Sequence, residues 1–129
     1  MRRYIMITLL SSLFLALLAG CACDKAESAV AVEAYLAALV NGQADQLATL
    51  SCADWESSAL TELDAFQNVE AQLVDLACSE TGKDGETTLV TCSGKITASY
   101  NGELQNFTLD DRVYQLVSEG GELRVCGYR

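Results

Sequence analysis

The sequence predicts an α+β domain in which N-terminal helices pack on one face of an antiparallel sheet of four to five strands. Up to about Phe66, apolar residues recur at the spacing of amphipathic helices. From Val69 onward, apolar and polar residues alternate as they do in strands. Turn-forming pairs, such as Asn101-Gly102 and Gly120-Gly121, separate the strand-like runs, which indicates antiparallel hairpins.

Three helices are predicted before the sheet. The first covers Glu27–Val40, where apolar side chains form one stripe at positions i, i+3, i+4, i+7 and i+8. Asn41-Gly42 then ends this helix, because both residues tolerate the left-handed backbone conformation that closes helices. A short second helix is expected over residues 44–50, and a third runs through residues 55–66.

The N-terminal segment has the order of an export signal, because Met1-Arg2-Arg3 precedes an almost wholly apolar run over residues 5–19. This run is shorter than the roughly 20 residues of a spanning helix. It ends in Leu18-Ala19-Gly20-Cys21, which resembles the lipobox of bacterial lipoproteins. The resemblance implies cleavage before Cys21, lipid on its sulfur, and a chain tethered outside the cytoplasm at the cell membrane or outer membrane. An ordinary secretory signal cut near Ala22 is the alternative.

The predicted organisation is a signal peptide over residues 1–20, a lipidated tether over residues 21–27, and one domain over residues 28–129. The signal holds two of the eight basic residues and none of the eighteen acidic ones, so the mature chain carries a net charge of −12. Such a surface repels phosphate backbones, and we expect no nucleic-acid binding. This surface is electrostatically compatible with a cationic ligand, a basic partner or a divalent cation. The acidic residues are scattered along the chain, however, and their contribution to solubility is enough to explain them.

The composition also limits the chemistry. Histidine is absent, which excludes the usual zinc sites and histidine-based acid–base or triad mechanisms. The acidic residues show no calcium-loop spacing, and Asp110-Asp111 is their only adjacent pair. We therefore expect neither a metal site nor a cofactor.

Six cysteines in a short exported chain indicate a disulfide framework. Cys21 carries the predicted lipid, and Cys23 lies in the tether as the odd cysteine. Four others remain and allow three connectivities: Cys52, Cys78, Cys92 and Cys126. A redox or metal-binding role is the alternative, but the chain has no Cys-x-x-Cys motif.

Hairpin geometry favours one connectivity. A turn-rich stretch over residues 81–86 lies between two strand-like runs. Centring a hairpin on its second glycine puts Cys78 opposite Cys92, on a face that is otherwise apolar. We therefore predict a Cys78–Cys92 disulfide and, by elimination, a Cys52–Cys126 disulfide.

The same register predicts the neighbours in the sheet. It sets Val74 opposite Ile96, and the next turn sets Ile96 opposite Phe107. Asp110-Asp111-Arg112 interrupts the alternation of apolar residues, so a bulge or corner is expected there.

Two stretches carry a resemblance to a known fold. Asn41-Gly42-Gln43-Ala44-Asp45-Gln46-Leu47 opens a short helix after an alanine-rich one, and Tyr114-Gln115-Leu116-Val117 precedes a glycine turn and Leu123-Arg124-Val125-Cys126. With the order of elements, they are similar to the nuclear-transport-factor-2-like, or SnoaL-like, cone fold over residues 28–128. The resemblance implies a curved sheet and a pocket between this sheet and the helices.

The resemblance also suggests an enzymatic alternative, since the superfamily includes isomerases and cyclases. In the isomerases, a first-helix tyrosine donates to a developing oxyanion and an aspartate near the second helix removes a proton. Tyr35 and Asp54 match these positions loosely. The second acidic donor has no counterpart, because the corresponding strand positions hold Gly94, Ile96 and Phe107.

The expectation is therefore a protein that is not an enzyme: a lipid-anchored extracytoplasmic binding or interaction module of the cell envelope. Its partner is an unknown small molecule or envelope protein. Tyr35 and Trp55 are the candidate pocket residues, and ordinary core positions are the simpler interpretation of both. An isomerase- or cyclase-type enzyme using Tyr35 and Asp54 and a passive structural lipoprotein are the alternatives.

Overall fold

The computed structural model describes residues 24–129. The predicted signal peptide and the tether cysteines, Cys21 and Cys23, lie outside the described residues. No helix within residues 24–129 is long and apolar enough to cross a membrane.

Three helices precede five strands, as predicted. The helices are α1 (Glu27–Val40), α2 (Ala44–Leu50) and α3 (Glu56–Ala65). The strands are β1 (Glu70–Asp84), β2 (Thr87–Tyr100), β3 (Glu103–Thr108), β4 (Val113–Glu119) and β5 (Glu122–Tyr128). The predicted bounds of the first two helices are confirmed, and those of the third differ by one residue at each end.

All five strands belong to one open antiparallel sheet, built around β2. β1 pairs along one edge of β2. The other edge is shared, because residues 88–91 pair with β4 and residues 95–100 pair with β3. The chain must turn a corner between these two strands, and it does so at the predicted break, where the Arg112 N–H donates to the Leu109 carbonyl over 3.2 Å.

The helices cover one face of the sheet, and the core lies between the two layers. The stripe of α1 supplies Val32, Tyr35, Leu36 and Leu39, each no more than 2% exposed. The facing sheet positions are also buried: Val90, Ile96, Leu116 and Val125. Burying each such aliphatic side chain stabilises the domain by about 1.5–3 kcal/mol. The helical period of α1 places these side chains on one face, and burial of this face holds the helix against the sheet.

Both predicted disulfides are present. Cys52–Cys126 joins the segment between α2 and α3 to β5, and Cys78–Cys92 joins β1 to β2. The paired cysteines are separated by 74 residues in the first disulfide and by 14 residues in the second. The loss of chain entropy in the unfolded state stabilises the fold by about 4 kcal/mol for the long loop and about 3 kcal/mol for the short one.

The register between β1 and β2 differs from the prediction on one side of the Cys78–Cys92 pair. Leu73, not Val74, lies opposite Ile96, so the predicted Val74–Ile96 pair is wrong by one residue. A bulge between Val74 and Ala77 causes the shift. Opposite this bulge, Gly94 has φ +100°, and a Cβ there would lie 2.6 Å from two carbonyl oxygens of β1. A residue without a side chain is what lets the bulged backbone approach β2 so closely.

A second irregularity shortens the first turn. The register shifts again between Glu80 and Gly82, and Asp84 then pairs with Thr87. The first strand therefore continues beyond its predicted end at Ser79 and through most of the turn-rich stretch, and a two-residue connection remains. The further pairing of Ile96 with Phe107 is confirmed.

We predict that Gly94→Ala lowers the free energy of unfolding by about 3 kcal/mol or more, because the new methyl group collides with the bulge and the backbone is left in a strained conformation. Gly102→Ala is the matched control: it has φ +84° but no atom within 4 Å of the added Cβ, so it carries only the conformational cost of about 1 kcal/mol. Equilibrium urea unfolding, followed by Trp55 fluorescence with the disulfides intact, measures both. Equal losses in the two variants contradict the role of the bulge.

Candidate functional site

A cavity of about 260 Å³ lies between the helices and the sheet, beside the corner that joins β3 to β4. Most of its lining is apolar or aromatic: Leu39, Ala65, Phe66, Ile96, Tyr100 and Phe107. Two charged side chains, Glu62 and Arg112, complete it. An apolar chamber with a few polar groups is the usual composition of a small-molecule site.

The aromatic part of the lining is held in place from two sides. The rings of Phe66 and Phe107 meet edge to face, with centroids 6.2 Å apart. The Tyr100 hydroxyl donates to the Ala65 carbonyl over 3.1 Å, which joins the end of β2 to the end of α3. These contacts link the last turn of α3 to the part of the sheet that lines the cavity.

Glu62 faces the core because of its position on α3. Ala59 and Leu63 are buried on the same helix, and Glu62 lies between them at the i+3 spacing of the apolar stripe. The sequence interpretation did not select this residue. The signal that identifies it is a carboxylate at a position of the stripe where an apolar side chain is expected.

Two tyrosines satisfy the Glu62 carboxylate. The Tyr35 hydroxyl donates to Oε2 over 3.2 Å, and the Tyr128 hydroxyl donates to Oε1. Trp55 Nε1–H donates in turn to the Tyr35 oxygen over 3.0 Å. The resulting chain of polar groups connects α1, α3 and β5, and each member has a partner, which is the condition for a half-buried polar network to be stable.

The structure brings the two candidate pocket residues, Tyr35 and Trp55, into direct contact. Neither is among the side chains that line the cavity, and Glu62 is the group through which both are connected to it. Trp55 also packs edge to face on Tyr128, with centroids 5.8 Å apart. Asp54 is exposed just before α3 and does not line the cavity.

Burial and the nearby carboxylate keep both tyrosines protonated. Burial raises the pKa of Tyr128 to about 12, and the hydrogen bond and negative charge of Glu62 contribute to the rise. Burial raises the pKa of Tyr35 well above its ordinary value, against the opposing hydrogen bond from Trp55 and with support from Glu62. Both hydroxyls therefore remain donors to Glu62 at neutral pH.

Arg112 occupies the corner between β3 and β4, and its guanidinium carbon lies 4.5 Å from the centroid of the Tyr128 ring. This distance is within the range of a cation–π contact. Tyr114, two residues later, is fully buried, and its ring lies 5.6 Å from that of Tyr128. The sequence interpretation placed a corner here but did not select Arg112 as a site residue.

Within residues 24–129, no group of three or more acidic or cysteine side chains is arranged to hold a metal ion.

No family model matches the sequence, and no curated protein matches it. Solved structures do match it. A proposed polyketide cyclase from Pseudomonas putida has a TM-score of 0.54 and 16% identity, over 81% of this chain and 92% of the other. A proposed dehydratase of the nuclear-transport-factor-2-like family from Streptomyces avermitilis has a TM-score of 0.55 and 15% identity, over 80% and 92% of the two chains.

A nuclear-transport-factor-2-like protein with a cystatin-like fold from Novosphingobium aromaticivorans has a TM-score of 0.53 and 13% identity, over 79% of this chain and 77% of its own. At such identities, the likeness concerns the fold alone. The chain has the cone fold that the sequence predicted.

We predict that stability falls as the pH rises from about 10 to about 12. In this window the folded chain retains the protons of Tyr35 and Tyr128, whose pKa values burial raises, whereas the unfolded chain loses them. The contribution of these tyrosines to stability is complete below their pKa in the unfolded chain. It is lost as the pH rises through their pKa in the folded chain. Urea unfolding at a series of alkaline pH values measures how steeply the free energy of unfolding falls with pH. We expect this dependence to be weaker in Tyr128→Phe.

Glu62→Gln is expected to move the tyrosinate titration of the folded protein to lower pH, because the negative charge that disfavours ionisation of Tyr128 is removed. Glu56→Gln, at an exposed position in the first turn of the same helix, is the control and leaves the titration unchanged. Titration curves that coincide for the two variants contradict the coupling between Glu62 and the tyrosines.

Proposed function

We propose that this protein is a lipid-anchored, extracytoplasmic binding module of the bacterial cell envelope, and that its cavity holds one small, mainly apolar ligand. The observation that carries the proposal is the cavity of about 260 Å³, with an apolar and aromatic lining and two charged side chains. A filled core, in contrast, has no space for an occupant.

The volume restricts the size of the ligand. Sites for drug-sized molecules occupy about 300–1,000 Å³, so this cavity suits a smaller molecule. Burial of each methylene group contributes about 0.8 kcal/mol, and a chain of about six carbons therefore gains roughly 5 kcal/mol. The loss of translational and rotational freedom on association offsets much of this gain, so apolar contacts alone give weak binding and polar contacts must add to it.

The hydrogen bonds of Tyr35 favour binding over the isomerase-type alternative. An oxyanion donor must direct its hydroxyl hydrogen at the substrate, whereas Tyr35 donates to Glu62, and Trp55 donates to its oxygen. Neither Tyr35 nor the proposed base Asp54 lines the cavity. The charged groups that do line it, Glu62 and Arg112, are arranged to orient a ligand.

The N-terminal pattern supports the location. Cys21 is the lipid attachment site implied by the lipobox resemblance, and the helical domain begins at Glu27. A connection of six residues spans at most roughly 20 Å, so the tether holds the domain close to the membrane surface. The two disulfides are consistent with an oxidising compartment.

We predict that the full chain, extracted from the envelope in mild detergent, carries an additional mass in native mass spectrometry that disappears on denaturation. Ala65→Leu places a larger side chain at the cavity wall and is expected to abolish this mass. Thr61→Leu is the control, because Thr61 is exposed one turn earlier on α3 and is not a lining residue. Bare protein for both the unmodified chain and the control opposes a retained ligand and favours a protein partner or a passive envelope role.

We also predict that intact mass measurement finds a chain that begins at Cys21 and carries lipid. Cys21→Ala is expected to remove the lipid and the cleavage before this residue, while Cys23→Ala leaves both unchanged. An unlipidated chain that begins at or after Ala22 identifies an ordinary secretory signal and overturns the anchor.

A further inference from the structure

Arg112 is a half-buried cation in a strongly acidic chain, yet it has no carboxylate partner within the part of the chain that the structure describes. The ion pairs of residues 24–129 use Lys25, Arg124 and Arg129 instead. Arg112 contacts the face of the Tyr128 ring and lines the cavity. A guanidinium presents several N–H donors in a planar fork, and a ring face accepts none of them fully.

Tyr114 is the buried neighbour of Arg112. The residue is 0% exposed and is not among the side chains that line the cavity. Burial raises the pKa of its hydroxyl, and the nearby Arg112 opposes part of the rise. Tyr114 therefore packs beside Arg112 in the core, and Arg112 is the cation that faces the cavity.

Glu62 does not supply the missing partner. Its two oxygens each accept a hydrogen bond, from Tyr35 and from Tyr128, and it forms no ion pair with Arg112 within 4 Å. The polar side of the cavity thus contains one carboxylate whose oxygens both have donors, together with a guanidinium that has no carboxylate partner among the described residues. What is missing is an acceptor group, and a negatively charged one matches the guanidinium.

We propose that the ligand is a small apolar carboxylic acid, bound as its anion, whose carboxylate accepts hydrogen bonds from Arg112 while its apolar tail fills the chamber. This inference rests on the proposed function and specifies its ligand class. The aromatic and aliphatic lining disfavours inorganic anions, which gain nothing from apolar contact. The negative charge of the whole chain acts at a distance and is screened by salt, whereas Arg112 acts within the cavity.

The test compares hexanoate with hexanamide, which has the same tail but a neutral head group. Binding to the full chain in detergent micelles is followed by ligand-observed NMR at constant ionic strength, with empty micelles as the blank. Hexanoate is expected to bind about tenfold more tightly than hexanamide, because hydrogen bonds to charged groups contribute more than neutral ones. Acetate, which lacks the tail, binds far more weakly than hexanoate.

Arg112→Met is expected to weaken hexanoate binding about tenfold and to change hexanamide binding by less than about twofold. Arg124→Met is the matched control, because Arg124 is also half-buried but lies outside the cavity and pairs with Glu122. Near-ultraviolet circular dichroism of Trp55 verifies folding. Arg112→Lys is the second variant if Arg112→Met is unstable: it keeps the positive charge but loses the planar fork of donors, so it is expected to lower hexanoate affinity several-fold and to leave hexanamide affinity unchanged.

The outcomes separate the two proposals. Equal affinities for hexanoate and hexanamide overturn the carboxylate inference and leave the binding function intact. No binding of either compound at millimolar concentration, together with bare protein in native mass spectrometry, overturns the binding function as well.

Discussion

The shared edge of β2 is the constraint on which the rest of the structure depends. One side of this strand pairs with β1 over its whole length, whereas the other side is divided between β3 and β4. The chain therefore has to leave β2 at one end of this edge and return to it at the other. The corner that results places Arg112 in the lining of the cavity, together with residues of α1, α3 and the sheet. The position of the site thus follows from a rule of strand pairing.

The polar groups near the cavity divide into two sets. Trp55, Tyr35, Glu62 and Tyr128 form a chain in which every donor finds an acceptor. Such a network adds specificity to the packing of α1, α3 and β5, because a shift of any element breaks a half-buried hydrogen bond. The guanidinium of Arg112, in contrast, has no carboxylate partner among the described residues. The ligand class that we propose rests on this difference.

The two disulfides connect different parts of the fold. Cys78–Cys92 secures a strand pair that already has extensive backbone hydrogen bonding. Cys52–Cys126 connects the helical layer to the last strand, at a point where the Cys52 N–H also donates to the Val125 carbonyl over 2.8 Å. The long loop it closes makes it the larger contributor to stability. It also holds α3, and therefore Glu62, against the sheet.

What the sequence by itself determined is everything that depends on local period and spacing. The stripe of α1 and the pattern around residues 44–50 gave the helices their bounds, and the alternation about Cys78 and Cys92 gave one disulfide directly. Tertiary structure decided the rest. The bulge opposite Gly94 depends on how closely two backbones approach, which no periodicity encodes. Glu62 and Arg112 gained their roles from elements distant in sequence, because the partners of a polar side chain are chosen by packing rather than by its neighbours along the chain.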